Sequence, residues 1–490
     1  MIHSYCCVHG EHLLPLNHDN DVKPLNNING PYYTPVELAT LYGFPNDADG
    51  TGQTVGIVQF GGGYTLSDFH AYLTYVGVTK VPTVTDVLVN GGVNDPSQLD
   101  ESFEVCLDLD VVGAVAPGAA IRIYFAPNTF GNFVAAVQAA VNDNCNIISI
   151  SWGQTETYWT STARNALNEV FQDAASKGIT VFCAAGDNGA SDGKPGLNVD
   201  FPGSSPYSVC CGGTKILTSG GVITSETVWG TSTTSATGGG SSVLFTKPSY
   251  QNAVPLLSTN SFRGAPDVAA NADPTSGYII RRGPSYYAIG GTSAVAPLLA
   301  AFTARVNQKR VALGKPVLGF IHPTFYSAPL SVFQDITLGG NFGYNAAAGW
   351  DYTTGLGSPK TALGNYLLYF EEYPVCSFTT NVLSGTVPFA VNCTDTSTGS
   401  PTAWAWDFGN GSPSSNLQNP TVLYSVAGTY TLSLTVTNLY GSTTTQKTVT
   451  ALAPTPTPVS AFTTNKVQRR QRARHAQLRV PTLLLQRRRR

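Results

Sequence analysis

The sequence predicts an α/β fold, a parallel sheet flanked by helices, followed by a small all-β sandwich. Three observations carry this. Apolar, β-rich runs recur at 54–60 (TVGIVQF), 119–125 (AAIRIYF), 146–152 (NIISISW) and 179–186 (ITVFCAAG). Runs that are apolar throughout are buried on both faces, as in a parallel sheet covered by helices. Helical spacing falls between them, over 102–115 and over 161–176, the latter ending before the turn at Gly178. From Tyr373 helix signals vanish, Ser and Thr rise, and strands alternate, as in TYTLSLTVTN at 429–438, with turns at 409–412 and 427–429. The domains read as an N-terminal extension (1–32), an α/β domain (33–372), a sandwich (373–453), and a linker with a basic tail (454–490).

Composition narrows the function classes. Apolar residues make up 42% of the 490 residues and charged ones only 12%, about half the usual share. No apolar run is long enough to span a bilayer; the best, around 294–304, is short and contains Pro297. The net charge of −3 hides a split, because residues 466–490 hold Lys466 and nine Arg without an acid. Setting these aside leaves 17 basic residues against 30 acidic ones. An acidic body argues against nucleic acid as partner. Few ion pairs would be lost in acid, which fits a protein made for low pH. The tail reads either as a binder of anionic surfaces or as a broken second repeat, after the stiff PTPTP at 454–458. The N-terminus has no basic stretch followed by an apolar one, so it does not read as a secretion signal. The nine Cys show no CxxC spacing; Cys376 and Cys393 could bridge neighbouring strands, and small buried residues are the alternative for the rest.

The strongest local signal is Gly290-Gly291-Thr292-Ser293-Ala294-Val295-Ala296-Pro297. A Ser after a small-residue turn, leading into an apolar helix, can present its hydroxyl where free N–H groups favour a developing oxyanion. An ordinary N-cap is the alternative. A Ser nucleophile needs a base, yet between residues 33 and 465 the only His are His70 and His322, neither in a Gly-rich setting. Glu104 and Asp108 stand at i and i+4 in FEVCLDLDVVGAV, on one helical face. A shared proton would let Glu104 accept from Ser293 while Asp108 supports it, with pKa values that belong to the pair; a solvated acidic face is the alternative. Asp187 follows a buried strand in AAGDNG, where parallel sheets build their sites. A turn-forming Asp is the alternative, but a protonated Asp could donate to an oxyanion.

These motifs in this order, with SWG at 151–153, resemble the sedolisins, or serine-carboxyl peptidases, above all their kumamolisin-like branch. YTPVELATLYGFP (33–45), VAPGAAIRIYFAPNT (115–129), VDFPGSSPY (199–207), GAPDVAANADPTSGY (264–278) and GWDYTTGLGSP (349–359) extend the likeness over most of 33–372. The resemblance implies a subtilisin-like fold and acid endopeptidase activity on proteins or peptides by a secreted, monomeric enzyme. It implies Ser293 as nucleophile, Glu104 as base, Asp108 as its partner and Asp187 as oxyanion donor. It implies a substrate cleft at Trp152, Gly153 and Asp200, with a preference for basic side chains at Asp200. It implies Ca2+ held by Asp335 and Asp351 and the carbonyls of Ile336, Ala347 and Gly349. Gln59 departs from the pattern, standing where such enzymes carry a Glu that extends the carboxylate network toward Trp152. Ala347 replaces a Gly of the calcium loop. A secretion signal and a long prodomain are also implied, and the first 32 residues read as neither. WAWDFGNGSPS (404–414) and YSVAGTYTLSLTVTN (424–438) resemble a polycystic-kidney-disease-type (PKD) domain, a module that serves as spacer or weak binder. The competing expectation is a catalytically silent extracellular binding protein on the same scaffold.

Overall fold

A computed structural model describes residues 32–455, together with the backbone of Leu14–Pro15 and Lys23–Pro24. The basic tail, Cys6 and Cys7 lie outside the described residues. Six strands form the main sheet: β1 (Thr54–Gln59), β2 (Val84–Leu88), β3 (Ala120–Phe125), β4 (Ile147–Ile150), β5 (Thr180–Ala184) and β6 (Val209–Ser219). They run parallel in the order β2-β3-β1-β4-β5-β6, with Val55 opposite both Ile121 and Ile147. Val222–Val228 (β7) folds back antiparallel on β6, and Val268–Asn271 (β8) pairs in parallel with residues 211–214.

Helices cover both faces. Helices α1 (Pro35–Leu41), α2 (Leu66–Tyr75), α3 (Glu101–Val115) and α6 (Val295–Ala312) share one apolar cluster with the sheet. Helices α4 (Phe130–Asn142) and α5 (Ser161–Ser176) share the other. Thr34, Thr129 and Thr160 start α1, α4 and α5, each accepting a backbone N–H of the first turn. Helix α3 is different. It is buried on nearly every side, Glu104 and Asp108 included, so the carboxylates expected on one helical face have no solvent to lean into.

The run expected as one strand over 146–152 is two. Strand β4 stops at Ile150, and Trp152–Thr155 belongs to a separate small sheet beside Asp200–Phe201. Ser151 is the break, turning its buried hydroxyl to Asp108.

Residues 378–452 form a sandwich of a three-stranded and a four-stranded sheet over their own core, which includes Trp406, Tyr424 and Leu434. The strand expected at 429–438 is Gly428–Thr437. Cys376 and Cys393 are separate thiols, not a bridge; the Cys376 Sγ instead donates to the Leu434 carbonyl at 3.1 Å. Asn438 Nδ2 donates to the carbonyls of Glu372 and Gly399, and the rings of Tyr369 and Tyr440 meet at a tilt across the junction with the α/β domain.

Candidate active site

The hairpin of Tyr278–Arg282 and Ser285–Ile289 delivers the chain to Gly290-Gly291, a 3₁₀ turn at Thr292–Ala294, and α6. Gly291 has φ +119°, and a side chain there would meet Asp187 Oδ2 at 2.6 Å. Only glycine takes this conformation readily and lets the turn lie against the carboxylate. Thr292 then donates its N–H and its hydroxyl to Asp187 Oδ1, at 2.8 and 2.7 Å, while its Oγ1 accepts from Gly186 N–H at 3.1 Å. The next residue, Ser293, is buried, and its hydroxyl reaches the Ser151 carbonyl at 3.3 Å.

Behind Ser293 runs a chain of buried polar contacts. Ser151 Oγ lies 2.7 Å from Asp108 Oδ1 and 3.1 Å from the Ser293 carbonyl. Gln59 Nε2 donates to Asp108 Oδ2 at 2.7 Å, and Gln59 Oε1 accepts from Trp152 Nε1 at 2.9 Å. An indole can only donate, so it fixes which end of the Gln59 amide faces Asp108. Asp108 Oδ2 is therefore held as an acceptor, and a proton on this carboxyl belongs on Oδ1. Burial, then the Glu104 charge, drives the Asp108 pKa well above the usual carboxylate range, against the bonds from Ser151 and Gln59. The site thus sets a buried hydroxyl in line with the Asp108 carboxyl, which in turn feels the Glu104 charge.

On the far side of Asp187 lies a second group of acids. Asp200 sits opposite Thr155 in the small sheet, and a side chain at Gly153 would collide with its carboxylate. Asp200 is 2% exposed, and neither carboxylate oxygen has a side-chain partner among the described residues. Burial, then the charges of Asp192 and Asp187, push its pKa well up. Burial, then Asp187 and Glu156, raise Asp192 to about 7 against a bond with Thr155. Asp192 is therefore neutral in acid and gains charge toward neutrality.

Residues 88–316 match the profile of the subtilase family and residues 372–452 that of the PKD domain. The chain is 47% identical over 346 residues to kumamolisin of Bacillus sp. (strain MN-32), covering 67% of this chain and 62% of that protein. It is 33% identical over 357 residues to sedolisin of Pseudomonas sp. (strain 101), covering 66% and 59%. The solved structure of Pseudomonas sedolisin, a serine-carboxyl proteinase complexed with two molecules of pseudo-iodotyrostatin, superposes with a TM-score of 0.63 at 29% identity. That match covers 69% of this chain and 99% of the other. This chain belongs to the sedolisin family. It spans about three fifths of the length of these two curated relatives.

Residues expected to hold Ca2+ meet at one loop of the sedolisin domain. Asp335 Oδ2 accepts from Gly349 N–H and Asp351 Oδ2 from Ala347 N–H, so two carboxylates close one loop. Asp351 Oδ1 is occupied by the N–H and hydroxyl groups of Thr353 and Thr354. The carbonyls of Ile336, Ala347 and Gly349 accept no hydrogen bond among the described residues. Two carboxylates and three such carbonyls suit a hard divalent cation. Gly349 has φ +78°, whereas Ala347 is not among the residues with positive φ, so Ala in place of Gly costs nothing there.

His322 takes no part in the site. Its Nε2 faces the Ser208 carbonyl at 2.9 Å and lies 3.6 Å from Asp267, inside the buried Arg263–Asp267 ion pair. Four residues of the site were not foreseen: Ser151, Thr292, Asp192 and Glu156. Ser151 and Thr292 lie inside the SWG and GGTSAVAP motifs, which gave them no role of their own. Asp192 and Glu156 carry no sequence signal beyond their nearness to the Gly186 turn and the SWG strand.

Proposed function

We propose that the sedolisin domain is an acid-acting serine-carboxyl endopeptidase that cleaves protein or peptide chains. The observation that supports this best is the buried line Trp152–Gln59–Asp108–Ser151–Ser293, which ends on a hydroxyl at the head of a helix. In this reading Glu104 takes the Ser293 proton as Oγ attacks the scissile carbonyl, and Asp108 shares the proton load. A carboxylate remains a usable base near pH 4, where His would be protonated. Asp187, fixed by Thr292, acts in its protonated form as donor to the oxyanion. The proton held by Glu104 passes to the leaving amine, and water then hydrolyses the acyl-Ser293 ester by the reverse path.

Trp152, Gly153 and Asp200 line the substrate cleft, and Asp200 favours basic side chains. Asp335, Asp351 and the carbonyls of Ile336, Ala347 and Gly349 hold Ca2+, which would brace the loop that these carboxylates close and stabilise the folded state. The enzyme works outside the cell as a monomer, with the sandwich as a spacer. The test is a pH–rate profile on denatured protein from pH 2 to 8 with Ca2+, beside Ser293→Ala. Activity is expected to peak below about pH 5 and to vanish in the variant, which should still melt cooperatively. A profile centred above pH 7, or residual turnover in Ser293→Ala, overturns the assignment.

A further inference from the structure

The carboxyl edge of the main sheet has two sides. The segments that follow β4 and β5 carry Trp152, Asp187 and Asp200, the side that the proposed mechanism gives to the acyl half of a substrate. From β1 toward the opposite edge, the loops after β1 and β2 join each other and the first turn of α3. Tyr64 N–H donates to Asn94 Oδ1 at 2.9 Å, and Gly63 N–H to Ser102 Oγ at 3.0 Å. With the hairpin that leads to Ser293, they enclose a cavity of about 210 Å³, lined in part by Gly63, Thr65, Pro96, Ser102, Tyr287 and Arg282. That is small for a whole ligand and suits one side chain or chain end.

Among the described residues two charged groups line this cavity, Asp68 and Arg282. Asp68 is answered: Oδ2 accepts from the Thr65 hydroxyl at 2.7 Å, and Oδ1 lies 3.6 Å from Arg281 Nη2. Arg282 is not. It is partly buried, with its guanidinium 4.6 Å over the centre of the Phe103 ring. Its Nε is shielded from solvent and has no hydrogen-bond partner among the described residues. Phe103 also meets Tyr287 edge-on at 4.9 Å, so the ring under the guanidinium is held from the hairpin. A buried donor costs free energy until an acceptor reaches it, and the planar fork of a guanidinium matches a carboxylate. Phe103 immediately precedes Glu104, the residue that hands a proton to the leaving amine in the proposed mechanism.

Resting on the endopeptidase reading, we propose that this cavity is a subsite for a peptide carboxylate on the leaving side of the cut bond, and that Arg282 receives it. The carboxylate comes from an Asp or Glu side chain within about the first three residues after the cut, ~10 Å of extended chain, or from the chain end of a short substrate. With Asp200 on the acyl side, the enzyme then selects a basic residue before the cut and a carboxylate after it.

The test measures kcat/KM of the full chain at pH 5 with Ca2+, on one parent peptide that has a single cut site and a C-terminal amide. Asn and Asp are exchanged at each of the first three leaving-side positions, and the amide is exchanged for a free acid. A gain of about tenfold is expected at one of those positions or from the free acid, and the pattern tells side chain from chain end. Arg282→Gln should erase the gain while the uncharged peptide is cut as before. Arg282→Lys should keep part of it, because a point charge remains without the fork. No gain in the wild type, a gain that survives in Arg282→Gln, or a loss shared equally by every peptide overturns the proposal, while cleavage of denatured casein keeps the endopeptidase reading standing. A chain inert toward casein as well sinks that reading, and the cavity is then judged by calorimetry. One of the Asp-bearing or free-acid forms of Ala-Ala-Ala-amide should bind the wild-type chain about tenfold more tightly than its neutral counterpart; equal affinities throughout overturn the proposal.

Discussion

Changing Gln59 to Glu tests the buried polar line with almost no change of shape. The Gln59 Nε2 that donates to Asp108 Oδ2 at 2.7 Å becomes a carboxylate oxygen, while the oxygen facing Trp152 Nε1 keeps its partner at 2.9 Å. Two carboxyl oxygens at that distance must share a proton. The new carboxyl is fully buried, which alone can raise a pKa by up to about 3–5 units, and the Trp152 donor offsets part of this. A shift of about 2–3 units is expected, and each unit is about 1.4 kcal/mol. With the folded pKa above the unfolded value of about 4.3, both states are protonated at pH 3.5 and the substitution is nearly silent. As pH rises through the window up to about 7, the folded state alone retains the proton, and about 3–4 kcal/mol of stability is lost. Thermal melts with Ca2+ should coincide at pH 3.5 and separate by about 4–6 °C at pH 7. A Tm difference that is equal at both pH values, or larger in acid, would refute the placement of the Gln59 amide against Asp108.

Asp267→Asn strands the buried Arg263 charge and should lower stability at pH 5 by about 3–5 kcal/mol, read by denaturant unfolding. Burial alone would raise the Asp267 pKa, but the Arg263 charge and His322 hold it well below the usual range. The pair's contribution is thus complete above about pH 3.9 and fades only as pH falls through that depressed value, so the wild-type–variant gap should narrow below about pH 3. Chelation should lower the wild-type Tm, and Asp335→Asn should shrink that shift; a site saturated a hundredfold over its Kd contributes about 2.7 kcal/mol. Because Asp192, whose charge acts on Asp200, gains charge toward neutrality, the kcat/KM ratio for Lys over an apolar side chain should grow about tenfold from pH 4 to pH 7, roughly one favourable ion contact. Asp200→Asn should flatten that trend, and a ratio independent of pH in the wild type would count against the pocket.

Much of this was legible in the sequence, for identifiable reasons. Uninterrupted apolar runs can only be strands covered on both faces, and β1, β3, β4 and β5 fall within them. Helices α3 and α5 followed from periodicity, α3 beginning one residue before the expected start. The break at Ser151 was hidden because a small Ser between Ile150 and Trp152 does not interrupt an apolar pattern; only the tertiary bond to Asp108 turns it. The burial of Glu104 and Asp108 could not be read from their spacing, which fits a wet helix face equally well; the apolar residues all around α3 were the missed clue. The bridge considered between Cys376 and Cys393 failed because a position in neighbouring strands does not fix where a thiol points, and Cys376 turns to a carbonyl. The acids around Asp200 come from loops distant in sequence, so no local pattern joins them.

The order of the site residues along the chain has a consequence for biosynthesis. Gln59, Glu104, Asp108, Ser151 and Asp187 all leave the ribosome before Ser293, which lies 234 residues after the first of them. At about 5–20 residues per second, roughly 10–50 s separate the first from the last. During that interval the nascent chain lacks the hydroxyl that the proposed mechanism requires, so on that reading it cannot act on itself or its neighbours. The Ser293 hydroxyl arrives with α6, a helix that shares the apolar cluster on one face of the sheet. On the proposed reading the site is therefore armed as this helix joins an apolar core that residues as late as Leu363, Leu367 and Leu368 complete.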